Sequence, residues 1–224
     1  MHRLMMTSST YRQNSILTQG HEESDSQNAL LSRMPMVRLD AEALYDSMLF
    51  VAGRLDETRF GPADPVALRA DGLVTPAGTE RGWRRSIYVQ QLRKKMATHL
   101  ESFDFPQMNP NCIERRDSMV APQALHLMNN GMIMELAEHF AARVQREAGG
   151  DPAKQIERVY LIALSREPDD EERQIGLETL NKLRAHWTTQ LSENGPPNPE
   201  AVHSKSLAAY CHAIMNSASF LFVD

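Results

Sequence analysis

The stretch Asn130-Gly-Met-Ile-Met-Glu-Leu-Ala-Glu-His-Phe-Ala-Ala-Arg-Val-Gln-Arg-Glu-Ala-Gly-Gly150 decides the fold class. Ile133, Leu136, Ala137, Phe140, Ala141 and Val144 recur at steps of three, one, three, one and three, which places them on one face of a helix. Asn130 precedes the run as an N-cap, and Gly149-Gly150 ends it. The pattern repeats downstream. Asp151-Pro152 is a cap followed by proline at the first helical position, with Ile156, Val159, Tyr160 and Ala163 behind it. Asp169 with Glu172 resembles a capping box and opens a helix carrying Ile175, Leu180, Leu183 and Trp187. Gly195-Pro196-Pro197 breaks the chain, and Pro199 starts a last long helix with Leu207, Tyr210, Cys211 and Ile214 inward. The apolar end, Phe220-Leu221-Phe222-Val223, is expected to dock rather than fray.

Upstream, Pro122 suits the first turn of a helix to about Met128. Asp104–Asp117 reads as a long connection and Leu92–Ser102 as a short helix. Asp40 opens a helix to about Leu55, with Ala41, Leu44, Met48, Val51, Ala52 and Leu55 on one face. Gly20–Asn28 is polar and charged and reads as a loop. The first ten residues look like the end of a helix, because Met1, Leu4 and Met5 have helical spacing with no cap before them. Between Phe60 and Trp83 the helical period stops. Asp71-Gly72 sits between the short apolar runs from Val66 and from Leu73, a hairpin signal, and Ser86-Ile87-Tyr88-Val89 is a third β-prone run. The expected architecture is mainly α: an irregular multi-helix domain over residues 1–224. It has a β-containing insertion at 56–90, a hairpin or three-stranded antiparallel sheet between Val66 and Gln90. A lone hairpin is marginal in water, so it must pack on helices.

The chain has 224 residues, of which 42% are apolar and 24% charged, ordinary values for a globular domain. Its net charge of −5 argues against nucleic acid, whose binders neutralise phosphates. A long uncharged run, Ser118–Met134, contains Pro122, Gln123, His126, Asn129, Asn130 and Gly131 and is too polar to span a membrane. The N-terminus has a positive charge but no apolar stretch of signal-peptide length. Cys112 and Cys211 lack C-x-x-C spacing, which excludes a cysteine zinc ribbon, a thioredoxin motif and a c-type haem site within this chain. Two buried thiols is one reading; a disulfide, which needs an oxidising compartment, is the other.

No G-x-S-x-G, Walker or G-x-G-x-x-G sequence is present. Glu135 and His139 stand four apart on a helix, but zinc needs three or four ligands, so they read as a solvated pair and no metal is expected. Arg84-Arg85, Arg93-Lys94-Lys95 and Arg115-Arg116 are basic clusters, expected to pair with acids such as Glu101 and Glu114 or to stay solvated. Met119, Met128, Met132 and Met134 read as core filler. The best ligand-surface candidates are Asn109, Asn111, Arg115, Arg116, Gln123, His126 and Asn129, a mixed donor and acceptor set on a loop leading into a helix start. The two arginines suit an anion or sugar acid.

Eight strings in order carry a family resemblance. They are His2-Arg-Leu-Met-Met-Thr-Ser-Ser-Thr-Tyr-Arg-Gln-Asn-Ser15, Arg38-Leu-Asp-Ala-Glu42, Arg84-Arg-Ser-Ile-Tyr-Val89, Phe103-Asp-Phe-Pro106, Val120-Ala-Pro-Gln-Ala-Leu125, Ser165-Arg-Glu-Pro168, Cys211-His-Ala-Ile-Met-Asn-Ser217 and Phe220-Leu-Phe-Val-Asp224. Together they resemble the domain of unknown function 1553, the C-terminal module of large planctomycete proteins that often carry a cytochrome-c-type domain upstream. The resemblance implies export beyond the cytoplasmic membrane, with upstream domains of the same polypeptide and carbohydrate as the expected partners. Any haem c would belong to an upstream domain, with no cofactor in this chain. Family members usually continue upstream of Met1 with helices, so the chain is expected to be part of a larger domain. Where the family tends to show Asn-x-x-Glu-Phe, this chain has Asn216-Ser-Ala-Ser-Phe220, without the acid. The resemblance transfers no catalytic residue. The functional expectation is a non-catalytic accessory or interaction module. The alternative is a polysaccharide-active enzyme using carboxylates and histidines.

Overall fold

The computed structural model describes residues 1–70, 72–92, 95–106, 118, 120–192 and 196–223. The elements run α1 (His2–Met6), α2 (Gln19–Asp25), β1 (Val37–Arg38), α3 (Ala41–Val51), β2 (Leu55–Asp56), β3 (Val66–Leu68), β4 (Val74–Pro76) and β5 (Trp83–Arg84). A 3-10 turn at Ser86–Tyr88 follows. Then come α4 (Thr98–Ser102), α5 (Ala121–Asn129), α6 (Gly131–Ala148), α7 (Pro152–Leu164), α8 (Asp170–Ser192), α9 (Pro199–Met215), α10 (Ala218–Leu221) and β6 (Phe222–Val223). The mainly helical class expected from the sequence is observed.

The C-terminal helices start where the caps place them. The Asn130 side chain accepts from the Met132 amide at 2.9 Å, and Asp151 accepts from Ala153 at 3.0 Å. Asp169 and Glu172 exchange side-chain-to-backbone hydrogen bonds of 2.8 and 3.0 Å, the reciprocal capping box. Helix α6 lies on α9, α9 on α8, and α7 against both α6 and α8. Phe140, Leu136 and Val144 of α6 share one core with Ile156 and Val159 of α7, Leu180 of α8 and Leu207, Cys211 and Met215 of α9. Helix α3 completes it with Leu44, Tyr45, Met48 and Leu49. Each fully buried aliphatic side chain contributes about 1.5–3 kcal/mol. Ile175 is an exception: it is 55% exposed, because α8 approaches the core through Gly176 and Leu180 instead. A Cβ on Gly176 would lie 2.8 Å from the Tyr210 hydroxyl and 3.0 Å from Ile156 Cδ1.

The β content needs correction in two places. β3 and β4 form the expected antiparallel pair, Val66 opposite Pro76 and Leu68 opposite Val74, with the Gly72 φ at +85°. The third strand does not form. The Ser86 amide is taken by the Asp46 carboxylate of α3 at 2.7 Å, and Tyr88 closes a turn onto Arg85, so the run keeps only a one-residue parallel bridge, Val89 with Asp64. β2 and β5 pair in parallel, Leu55 with Trp83 and Asp56 with Arg84, whereas only antiparallel pairing was expected. Arg84 explains it. Its buried guanidinium holds Asp64 through Nε (2.9 Å) and Nη2 (2.6 Å), donates to the Phe60 and Pro62 carbonyls, and lies over the Tyr88 ring at 4.4 Å. One side chain thus gathers 60–64 around β5. Gly82 lets β5 reach β2: its φ is +135°, and a Cβ there would overlap the Arg54 carbonyl.

Other expectations shift locally. Gly20–Asn28 is not a loop throughout, since α2 (Gln19–Asp25) runs through its first six residues. Thr18 accepts from the His21 amide at 3.3 Å while His21 Nδ1 accepts from the Thr18 amide at 3.4 Å, a capping box with histidine in the usual Glu/Gln place. α3 stops at Val51 rather than Leu55, because Gly53 at φ +66° turns the chain into β2. α4 begins only at Thr98. Met132 is buried, but Met128 and Met134 are 56% and 44% exposed and fill no core; Met119 lies outside the described residues. Arg85 contacts Asp46 and Glu57, and Arg84 contacts Asp64, instead of the acids nearest in sequence. The C-terminus docks as expected: Phe220 is buried and β6 pairs antiparallel with β1. Among the described residues, no helix is long and apolar enough to cross a membrane.

Two glycines test this geometry. Gly82→Ala should lower stability by at least about 2 kcal/mol, since backbone strain and a clash combine. Gly176→Ala should cost about 1–3 kcal/mol by overpacking. Urea midpoints at unchanged m-value measure both. A loss below about 0.5 kcal/mol in either variant contradicts the close approach at that position.

Candidate functional site

Arg38 organises the site. Its backbone belongs to β1, which the C-terminal strand covers, with Arg38 opposite Phe222. Its side chain, 6% exposed, turns inward. Nη1 donates to the Ser118 carbonyl at 2.8 Å, and Nη2 donates to Asp104 Oδ2 at 2.8 Å and to the Phe103 carbonyl at 3.4 Å. The guanidinium also lies over the Phe103 ring, 5.3 Å from its centroid. Asp104 holds a left-handed φ of +63°, which carries its carboxylate back toward Arg38. That carboxylate also accepts from the Ser118 amide (2.8 Å), the Ser118 hydroxyl and the Gln123 side-chain amide (3.2 Å). Burial pushes the Asp104 carboxyl up. The Ser118 amide and hydroxyl, with Arg38, outweigh it and hold the group below the usual range. Gln123 Oε1 accepts from the Val120 amide at 3.3 Å and so closes the first turn of α5.

Above this network lies a groove of about 370 Å³. Val120 just before α5, Ala124, Leu127 and Met128 on α5, and Leu221 and Phe222 of the C-terminus line it. Arg38, Gln123 and Asn216 line it as well, but their polar groups are largely spent within the protein. The Asn216 amide, for example, donates to the His212 carbonyl at 2.7 Å. The groove therefore offers a ligand mainly apolar surface.

The sequence candidates divide. Asn109, Asn111, Arg115 and Arg116 lie outside the described residues, as does Cys112. Gln123 reaches the groove, but as a structural donor and cap. His126 is turned away from it. Its Nε2 is 3.2 Å from the Asn130 amide nitrogen, its ring meets Phe103 edge-on at 6.3 Å, and burial lowers its pKa. Asn129 is exposed near the end of α5, outside the groove lining. Composition and spacing missed Arg38, Phe103, Asp104, Asn216 and Phe222. Their available signal was membership of the strings Arg38–Glu42, Phe103–Pro106, Cys211–Ser217 and Phe220–Asp224.

Glu135 and His139 are 3.7 Å apart and both well exposed, a surface pair. Among the described residues no group of three or more His, Cys, Asp and Glu side chains is placed to hold a metal. Cys211 is a buried free thiol whose pKa burial raises. Beside His126, the His99 ring stacks on Tyr45 at 4.3 Å and 18°. Neither His99 Nε2 nor the Tyr45 hydroxyl has a hydrogen-bond partner. Burial, with His126 adding to it, depresses His99 to about 3.

Asp104→Ala strands a buried guanidinium and should cost about 3–5 kcal/mol. The double variant Arg38→Met/Asp104→Ala should lose less than the sum of the single losses, because no orphan charge remains. Additive losses in a urea-unfolding cycle would contradict the coupling. His99 titrates near 6.5 when unfolded and near 3 when folded. Between those values only the unfolded chain binds the proton, so its contribution to stability is complete above about pH 6.5 and lost as pH falls. The slope approaches about 1.4 kcal/mol per pH unit. His99→Phe keeps the stack and should flatten the decline between pH 6.5 and 4; an unchanged slope would mean His99 is not its source.

Comparison with known proteins places the chain once this geometry is known. A family model described as PSD1, protein of unknown function (DUF1553), matches residues 1–180. It takes in the β1 arginine, Phe103-Asp104 and α5. No curated protein and no solved structure matches the chain. With 180 of its 224 residues matched, the chain belongs to the DUF1553 family of proteins of unknown function.

Proposed function

We propose that this chain is a non-catalytic interaction module of an exported protein whose upstream domains include c-type haem modules. In this reading the groove over α5 receives an apolar segment of a neighbouring domain. The observation that carries it is the composition of that groove. Strands β1 and β6, residues 103–104 and α5 meet there, and their polar groups largely saturate one another. Val120 and Met128, at 49% and 56% exposed, leave apolar surface at the rim. Five of the strings that carry the family resemblance contribute to this one place, which supports a role for the groove beyond packing.

The carboxylates favour this reading over a polysaccharide-active enzyme. A glycosidase needs one carboxyl held protonated by a raised pKa. Among the described residues, Asp25, Asp56, Asp104, Glu147 and Glu172 all shift downward. Hydrogen bonds to backbone amides, hydroxyls or arginines hold these groups ionised. His99 and His126 are buried toward their neutral forms.

The test places a photo-crosslinking amino acid at Met128 in the polypeptide carrying its upstream domains. The expected product is an intramolecular cross-link from the groove to an upstream segment. Val120→Glu should abolish it while changing the free energy of urea unfolding by less than about 0.5 kcal/mol, since the site is half exposed. Absence of a cross-link overturns the docking reading. Release of reducing ends from a polysaccharide by the purified chain, lost on groove substitution, replaces it with the enzyme.

A further inference from the structure

Helices α3, α7 and α10 meet around a second cavity, of about 310 Å³. Apart from Phe220, its lining comes from residues 39–165, and it shares no lining residue with the α5 groove. Val51, Ile162 and Phe220, all buried, give it an apolar wall. Asp46, Ser47, Arg85 and Ser165 are its polar side chains. Asp46 is the deeper of the two charges, 19% exposed against 49% for Arg85. Its Oδ1 accepts from the Ser86 amide at 2.7 Å, which fixes the carboxylate. Arg85 reaches Oδ2 only at 3.5 Å, beyond the span of about 2.7–2.9 Å of a charge-assisted hydrogen bond, and shares itself with Glu57 at 3.3 Å. Helix α7 also ends at this cavity. Ser165, in a left-handed conformation at φ +56°, terminates it, and its last turn carries no basic residue. The last four carbonyls of a helix have no partner within it and bear partial negative charge. Arg166, next along the chain, is turned to Glu172 through two contacts of 2.6 Å.

We propose that this cavity binds an alkylammonium group. The ammonium takes the place of Arg85 at Asp46 Oδ2, beside the carbonyl end of α7, and its aliphatic stem lies on Val51, Ile162 and Phe220. Displacing Arg85 costs little, because its contact is long and half exposed and Glu57 remains as its partner. An anionic ligand would instead meet the Asp46 carboxylate and the negative end of the helix. The same chemistry is carried by a lysine side chain of a partner protein and by a free primary amine. The site does not rest on the role proposed for the α5 groove.

The test titrates n-butylammonium into the full chain labelled at its isoleucine and valine methyls. The Ile162 and Val51 signals should shift together and saturate, while Ile133 and Val144 of α6 stay in place. Butan-1-ol and butyrate, of the same length but without the positive charge, should bind at least about tenfold more weakly. Asp46→Asn should weaken n-butylammonium by about tenfold or more, the loss of one charge-assisted contact. Asparagine keeps an oxygen for the Ser86 amide, and an unchanged urea midpoint verifies the fold. Arg85→Gln removes the competing cation and should leave binding equal or tighter. Nα-acetyl-lysine N-methylamide then identifies the source: tighter binding than n-butylammonium assigns a protein side chain, weaker binding a free amine. Equal binding of butan-1-ol overturns the proposal. So does unchanged affinity in Asp46→Asn, or weaker binding in Arg85→Gln, which would make Arg85 the anchor. The neutral probe and Arg85→Gln decide the matter even if Asp46→Asn does not fold.

Discussion

The buried pair of Arg38 and Asp104 is the constraint on which the groove and the chain ends depend. Taking both charges out of water costs several kcal/mol per ion, and their attraction offsets this only when the remaining donors and acceptors are satisfied. Here the carboxylate accepts from Arg38, the Ser118 amide and hydroxyl, and Gln123, and the guanidinium also reaches two carbonyls, leaving only Arg38 Nε buried without a partner in this network. Those partners fix where β1 lies relative to residues 103–104 and 118 and to the first turn of α5. Strand β6 can then add to β1, which brings Leu221 and Phe222 over α5. Weakening the pair would loosen the strand, the cap and the groove together, because they share the same atoms.

A second buried arginine does comparable work at a distance. Arg84 draws 60–64 around β5 and lets a two-residue parallel pair persist on helices that already form a core. Such short strands have little stability of their own. Their order comes from the α3 contact through Asp46 and from the two arginine nodes. The mainly α framework and the irregular β segments thus have different physical origins: apolar faces in the first, charge-assisted hydrogen bonds in the second.

The groove belongs with the second of these: it is built from residues far apart in sequence and presents apolar surface after most of its polar groups are satisfied.

The sequence by itself determined the helices and most of their boundaries. Asn130, Asp151, and Asp169 with Glu172 specify starts through contacts within four residues, Pro199 marks another, and the 3.6-residue period marks the inward faces. It erred where a local signal took an unfamiliar form, as with histidine in the α2 capping box. It also erred where long-range contact overrode propensity, as when Asp46 took the Ser86 amide from a β-prone run. Gln123 was legible as a polar residue near a helix start, but not as a cap and a ligand of Asp104. Only the tertiary structure decided the arginine partners and the groove. Arg38 and Asp104 are 66 residues apart and Arg84 and Asp64 are 20 apart, so which acid each arginine meets depends on how the helical core folds the chain back, not on neighbouring sequence.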